Sequence, residues 1–450
     1  MQTNFGKIGF ILAALGSSIG LGHIWRFPTA TGTSGGSAFV LLFLAISIFI
    51  GVAMLIAEML IGQQGCKNVP DSFKEIAQNK QTPWRFMGFV LITGPVTLTF
   101  YCAVLGWVLY YLVSVSFNLP IDFLQSKEIF ESFSRSTAQL PYQLVCFGIV
   151  LLITAYSVAH GIRGIEKLNY ILMPLLFFIF FALLFYAMTL QSFPQSVNFM
   201  FKPDFSKITS EVIVDAMGQV FFSLSLGAGT ILTYSAHIGK QQNLLSSALF
   251  IVISGIIISL VAGLMIFAFV FEYGDFNNIG DGEGLIFITL PVMFGHFGIF
   301  GSILSIFFMV GLLFAGISST VSLLEPCIKY LCDRTKVSRV KITYMVTSGI
   351  FLAGVLVILS LNADIGHYFK FFGQSLFSLS VSLSANILLT WGSFLITLFI
   401  GYFVKKETLQ TWTSSYFRSN IIFEIWYFCI KIIAPLMIIM IFANKFYSFL

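Results

Sequence analysis

The sequence predicts an all-α integral membrane protein of about eleven transmembrane helices, arranged as an inverted five-helix repeat with breaks in helices 1 and 6. Three observations carry this. Hydrophobic residues make up 57% of the chain and charged residues 10%, with a mean hydropathy of +0.93. A soluble domain of this size needs far more charged surface, and lipid tolerates no unpaired backbone, so helices must dominate. Apolar segments near the ~20-residue spanning length recur along the whole chain. Two of them, five spans apart, are interrupted by clusters of glycine and serine.

In order, the spans fall at 8–28, 37–62, 86–117, 142–159, 167–190, 212–236, 244–271, 298–328, 342–361, 376–404 and 421–444. The loops carry the charge. Placing Met1 in the cytoplasm puts about sixteen Lys/Arg inside and about six outside. The inside loops are 67–85, 163–167, 329–341 and 405–418, and the acidic loop 272–283 lies outside. With an odd number of spans the C-terminus ends outside. The net charge of +5 reflects this orientation and not a nucleic-acid partner. The six cysteines show no metal-type pairing, and packing is the role expected of them. Ile8 already enters the first span, so no cleaved leader is expected. The setting expected is a bacterial inner membrane, multi-pass, with the lipid bilayer as surroundings.

Span 1 reads Gly-Ser-Ser-Ile-Gly-Leu-Gly-His-Ile-Trp-Arg-Phe-Pro over 16–28. Three glycines and a proline fall where a spanning helix should be continuous. Unwound backbone survives in a bilayer only when buried in protein or lining a watery cavity. Span 6 repeats the interruption at 219–229, Gln-Val-Phe-Phe-Ser-Leu-Ser-Leu-Gly-Ala-Gly. Matching breaks in two halves point to a midplane binding site of an ion-coupled transporter. The domain reading follows: 1–190 as the first repeat, 191–404 as the second, and 405–450 as an accessory eleventh span.

The segments GSSIGLGHIWRFP (16–28), AEMLIGQQG (57–65), FYCAVLGW (100–107), HGIRGIEK (160–167), GQVFFSLSLGAGTILTYSAH (218–237) and FAGISSTVSLLEP (314–326) resemble the neurotransmitter:sodium symporter family. The resemblance spans essentially the whole chain. It implies the inverted-repeat bundle of the bacterial leucine transporter and amino-acid uptake driven by sodium entry.

The resemblance also assigns residues. The second sodium site of the family falls on Gly16, Ile19, Ala315, Ser318 and Ser319. An unwound turn supplies carbonyls to a hard cation without adding formal charge. Such a pair of hydroxyls is also what backbone-bonded helix serines look like. The substrate carboxylate would meet the amides of Leu21 and Gly22 and the hydroxyl of Tyr101. Ser17, Ser18, Thr97, Phe222, Ser223, Ser225, Ala228, Ser319 and Leu323 complete the substrate site. The lining holds no acid or base, which favours a neutral, apolar or aromatic amino acid. Gly20 stands where monoamine carriers place an aspartate, and Ala228 where the family often has a larger residue.

The first sodium site departs from the family. His23 replaces an asparagine, and Gly255 aligns with the span-7 asparagine or aspartate, while Ser223 keeps the span-6 hydroxyl. Two readings of His23 stand. It is a proton or cation substitute for the first sodium, or a neutral imidazole filling the gap beside Gly255. Chloride dependence is not expected, because Phe43 replaces the span-2 tyrosine of chloride-using members, although Ser223 and Ser259 offer hydroxyls. Arg26 matches the outer gate and Asp333 the inner gate. Their usual partners are missing: Val381 and Ser378 stand where acids are expected. Asp364 and Lys7 are the substitutes the sequence offers. Glu58, buried in span 2, is expected to satisfy unwound backbone. No nucleophile–base pair or metal cluster marks an enzyme. The competing function is a non-transporting amino-acid sensor on the same fold.

Overall fold

In the computed structural model, the described residues are 4–78, 83–240, 242–273 and 283–447. Nine described helices are long and apolar enough to cross a membrane: Ser37–Gly65, Phe86–Phe117, Thr137–Ala159, Gly161–Ala187, Leu244–Tyr273, Ile299–Arg334, Arg339–Leu359, Leu376–Phe403 and Asn420–Asn444. These are spans 2–5 and 7–11. Span 1 is the bent pair Lys7–Ser18 and Gly22–Thr33, whose axes diverge by 49°. Span 6 consists of Ser210–Ser223 and Thr230–Ser235, separated by an irregular turn. Both interruptions fall where the glycine clusters predict them.

Several boundaries differ from the expectation. Span 5 begins at Gly161 instead of residue 167, because Arg163, Glu166 and Lys167 sit on the helix end and not in a loop. Glu166 Oε1 there accepts the Gly6 N–H at 2.9 Å. Span 8 runs on to Arg334. Several helices outside the spans were not expected, and two of them pack at the ends of the bundle. One is Phe123–Arg135, capped by Asp122, whose carboxylate accepts the Leu124 and Gln125 amides. The other is Leu285–Gly295, whose Phe287 stacks on Phe130 and meets Trp107 and Tyr111 edge-on. Most of the loop expected at 272–283 lies outside the described residues. A two-stranded hairpin, Lys370–Phe371 with Gln374–Ser375, turns through Phe372 and Gly373, both at positive φ.

The bundle is inside-out in composition, as lipid requires. Large apolar side chains such as Phe178, Phe185 and Leu352 are mostly exposed, while Ser and Thr side chains, with Gln219 and Glu325, are buried along spans 1, 3, 6 and 8. Span 11 is tied to span 2 by Trp426, whose indole N–H donates to the Ala53 carbonyl at 3.1 Å. Spans 4, 8 and 9 meet at Arg339. Its Nε donates to the Val158 carbonyl at 2.8 Å, and its guanidinium pairs with Glu325. The Glu325 side chain is 4% exposed and that of Arg339 20%.

Removing one partner of such a pair strands a charge. Arg339→Met is therefore expected to destabilise the protein by about 3–5 kcal/mol, and Glu325→Leu added to it should recover most of the loss. Thermal unfolding in detergent checks this. A double variant no more stable than the single one removes the pairing argument.

Candidate functional site

The break in span 1 begins at Ile19, whose ψ of 85° leaves the helical region. The chain resumes hydrogen bonding through the Gly20 N–H to the Ser18 carbonyl and the His23 N–H to the Gly20 carbonyl. Groups freed by the break are met from other spans. The Leu21 N–H donates to the Tyr101 hydroxyl of span 3 at 3.1 Å. The Gly22 carbonyl accepts Gln219 Nε2 of span 6 at 2.7 Å. The Ser17 carbonyl accepts the Ser225 hydroxyl at 3.3 Å, and the Ser17 hydroxyl donates to Thr230 at 3.1 Å. The Gly16 carbonyl accepts the Ser319 hydroxyl of span 8 at 3.1 Å.

The turn in span 6 covers 224–229, with positive φ at Ser225, Gly227 and Gly229. Gly227 needs glycine twice over. Its φ is +81°, and a Cβ would lie 2.1 Å from the Leu389 carbonyl oxygen. Its N–H donates to Glu58 Oε1 at 2.6 Å. Glu58 is 0% exposed, so span 2 delivers an acceptor to an amide that water cannot reach.

Four of the five residues that the resemblance assigns to a sodium ion, Gly16, Ala315, Ser318 and Ser319, come together where spans 1 and 8 meet. Ser318 and Ser319 are buried, and their hydroxyls bond the Ala315 and Gly16 carbonyls, two others of the assigned set. All are neutral oxygens, a donor set that suits a hard cation.

Two cavities meet at this level. A small one of about 30 Å³ is lined by Ser17, Ser18, Thr97, Tyr101, Phe222, Ser223, Ser225, Ser319 and Leu323, together with Gly20, Gly22 and Leu389. Most of the expected substrate residues are thus brought together. Leu21 lines the second cavity instead, and Ala228 is buried outside both linings. The second cavity holds about 450 Å³. Tyr101 and Phe222 line both, and so form the partition between them. Thr97 shares a 2.6 Å hydrogen bond with Ser384 of span 10.

His23 is 1% exposed. A Cβ on Gly255 would lie 2.6 Å from its Nε2, so the ring occupies the space that a span-7 side chain would take. The imidazole faces the Ser18 backbone, and Nδ1 has no hydrogen-bond partner among the described residues. Ser223 spends its proton on the Gln219 carbonyl at 2.7 Å. Phe43 packs on Phe27 with ring centroids 4.7 Å apart.

The gates are built differently from the expectation. The Arg26 guanidinium lies over the Phe222 ring, 4.5 Å from its centroid. Its electrostatic partner is Asp215 of span 6, which lines the large cavity with it and accepts the Ser34 hydroxyl at 2.8 Å. Asp364 is engaged elsewhere, by the Thr137 hydroxyl at 2.5 Å. Val381 lines the same cavity as Arg26 without charge. At the other end Asp333 pairs with Lys329 and accepts from Asn68, both at 2.9 Å, and not with Lys7. The N-terminal segment instead docks through Phe5. Its N–H donates to the His237 carbonyl at 3.0 Å, and its ring packs edge-on to Tyr234 at 5.4 Å. Sequence reading missed Asp215, Ser384 and Leu389. Asp215 was legible only as a second acid, one turn after Glu211, in the first half-helix of span 6.

Known proteins match this chain, and this fold, over nearly its whole length. The profile of the sodium:neurotransmitter symporter family matches residues 2–139 and 123–450. The chain is 34% identical over 446 residues to a Bacillus subtilis (strain 168) protein named "Uncharacterized sodium-dependent transporter YhdH", covering 97% of this chain and 96% of that one. It is 32% identical over 453 residues to an uncharacterized sodium-dependent transporter of Haemophilus influenzae, covering 99% and 98%. Among solved structures, MhsT in complex with L-phenylalanine superposes with a TM-score of 0.86 at 32% identity, covering 98% of each chain.

The Glu58–Gly227 contact yields a prediction. Glu58→Ala leaves a buried N–H unpartnered, at a cost of about 1–3 kcal/mol, whereas Glu58→Gln retains an acceptor oxygen. The alanine variant should unfold several degrees earlier in detergent, and the glutamine variant should stay close to the wild type. Equal stability of all three would mean the contact carries no weight.

Proposed function

The chain belongs to the sodium:neurotransmitter symporter family, and from that premise we propose that it takes up a neutral, apolar or aromatic amino acid by sodium symport with one sodium ion at the second site. The family consists of secondary transporters, and the chain is accordingly a multi-pass membrane transporter and not an enzyme. One observation carries the proposal: a small polar-rimmed cavity and a large one share Tyr101 and Phe222 as their partition. That is the arrangement of a closed binding site beneath an access route, which alternating access requires.

Substrate class follows from the lining. No acid or base faces the small cavity, so a charged side chain would be buried without a partner. The similar structure bound to L-phenylalanine supports an aromatic or apolar substrate. The site must expand to admit one, and Phe222 with Arg26 stacked on it is the element that would move. The carboxylate would take over the Leu21 N–H and the Tyr101 hydroxyl, which now bond each other. The two repeats, 1–190 and 191–404, would rock about this level with 405–450 outside them. We place the N-terminus in the cytoplasm of a bacterial plasma membrane, on the Lys/Arg asymmetry of the loops. The large cavity would then open outward.

At the first site the His23 ring fills the volume left by Gly255, and with it the place of a second cation. No chloride requirement is proposed. A second reading, in which His23 carries a proton, rests on the unpartnered Nδ1.

Two measurements test these proposals. Proteoliposomes carrying an inward sodium gradient should accumulate radiolabelled phenylalanine or leucine above equilibrium, and a sodium ionophore should collapse the gain. Binding without accumulation would favour the sensor on the same fold. The double variant His23→Asn with Gly255→Asn should raise the sodium Hill coefficient from about one towards two. In the wild type, uptake that rises as external pH falls from about 8 to 5 would favour the proton reading, and a flat profile would eliminate it.

A further inference from the structure

Asn169 lies in span 5, 0% exposed. Its Nδ2 donates to the Ile165 carbonyl at 2.9 Å, which fixes the orientation of the amide. Its Oδ1 has no hydrogen-bond partner among the described residues. A leucine would fill the same volume without burying an unmet acceptor, and an amide oxygen in this state deep in a membrane protein is costly unless something meets it.

The oxygen faces a particular place. A Cβ on Gly16 would lie 2.0 Å from Asn169 Oδ1 and 3.0 Å from the Ser318 Cβ. Asn169 therefore sits in the notch that Gly16 leaves by lacking a side chain, beside Ser318. Gly16 and Ser318 belong to the oxygen set of the second sodium site, and the Gly16 carbonyl is already drawn to Ser319. One helical turn earlier on the same span, Glu166 reaches the Gly6 N–H at 2.9 Å. Span 5 thus presents side-chain oxygens to the glycine face of span 1, and that of Asn169 is the one left unmet.

We propose that Asn169 Oδ1 is an additional ligand of the sodium ion at the second site. The proposal rests on the second-site reading above. The ion would then join spans 1, 5 and 8, where the expected set joins only 1 and 8. An amide oxygen is a neutral hard donor, which keeps the donor set free of formal charge.

The test is equilibrium binding of ²²Na⁺ alone to the purified full-length protein, with Li⁺ as competitor. The variants are Asn169→Leu, Asn169→Asp and the pair Ser318→Ala with Ser319→Ala. Asn169→Leu should weaken sodium binding by roughly 10- to 100-fold. Asn169→Asp, which puts an anionic oxygen at the same position, should bind sodium at least as tightly as the wild type and shift the Na⁺/Li⁺ preference. The serine pair should abolish saturable binding. If the serine pair abolishes binding while Asn169→Leu binds like the wild type, the proposal is overturned and the second site stands. Equal weakening by the leucine and aspartate variants, with matching losses of thermal midpoint, means a packing role and also overturns it. Saturable binding unchanged in the serine pair, or absent from the wild type, overturns the second-site reading itself.

Discussion

Everything at the centre of this protein depends on the three residues of span 1, Ile19–Leu21, that separate its two helices inside a bilayer. Lipid offers no hydrogen bonds, so each group the break frees must be met by protein or by cargo. The structure meets them with side chains from other spans: Tyr101 for the Leu21 amide, Gln219 for the Gly22 carbonyl, Ser225 for the Ser17 carbonyl and Ser319 for the Gly16 carbonyl. The span-6 turn is served the same way by Glu58. An unmet buried amide costs about 1–3 kcal/mol, so these residues hold the two breaks in register as well as shaping a cavity. Cargo that enters must exchange one set of partners for another. This is why hydroxyls, which both donate and accept, predominate around the break.

Charge is spent sparingly here. The oxygens where spans 1 and 8 meet are carbonyls and hydroxyls, which suit a monovalent cation without burying a fixed anion. Beside them the His23–Gly255 exchange conserves volume: the ring stands where a span-7 side chain would be. Each substitution alone breaks the packing, because asparagine beside Gly255 leaves a void and a larger residue at 255 meets the ring. Together they fit. The same compensation recurs at Arg26, where an apolar Val381 and an acidic Asp215 line one cavity with it. The arginine still faces a carboxylate, supplied by span 6 instead of span 10.

The spans were legible because hydropathy is a local signal. Span 3 was expected over 86–117 and observed over Phe86–Phe117. The breaks were legible because glycine clusters are local too. Span 5 was cut short because Arg163, Glu166 and Lys167 look like loop residues, although a helix end at the bilayer edge carries them at little cost. Phe123–Arg135 and Leu285–Gly295 escaped notice because neither has spanning length. The partners of Arg26, Thr97 and Asp333 were not legible for a different reason. Each contact joins segments far apart in sequence, and only the folded bundle determines which pairs meet.

The two ends of the transport path differ in their physics. Towards the large cavity, a guanidinium lies over an aromatic ring and faces a carboxylate. Ions and water entering that cavity weaken such an arrangement, since charge attraction falls with local dielectric and ionic strength. At the opposite end the N-terminal segment is held by Phe5 against Tyr234, by a backbone hydrogen bond to His237 and by the Gly6 N–H on the Glu166 carboxylate. Only the last of these involves a charged group, and Asp333 spends its own charge on Lys329 and Asn68. In the transport reading proposed above, the closure at Arg26 would respond to what arrives in the large cavity, while the opposite one would release as the segment before Lys7 leaves span 6. Because that segment continues directly into span 1 and its break, such a movement at Phe5 would pull on the residues that hold the central groups. Coupling of that opening to the centre would then be mechanical, through the ten residues of continuous backbone between Phe5 and Gly16.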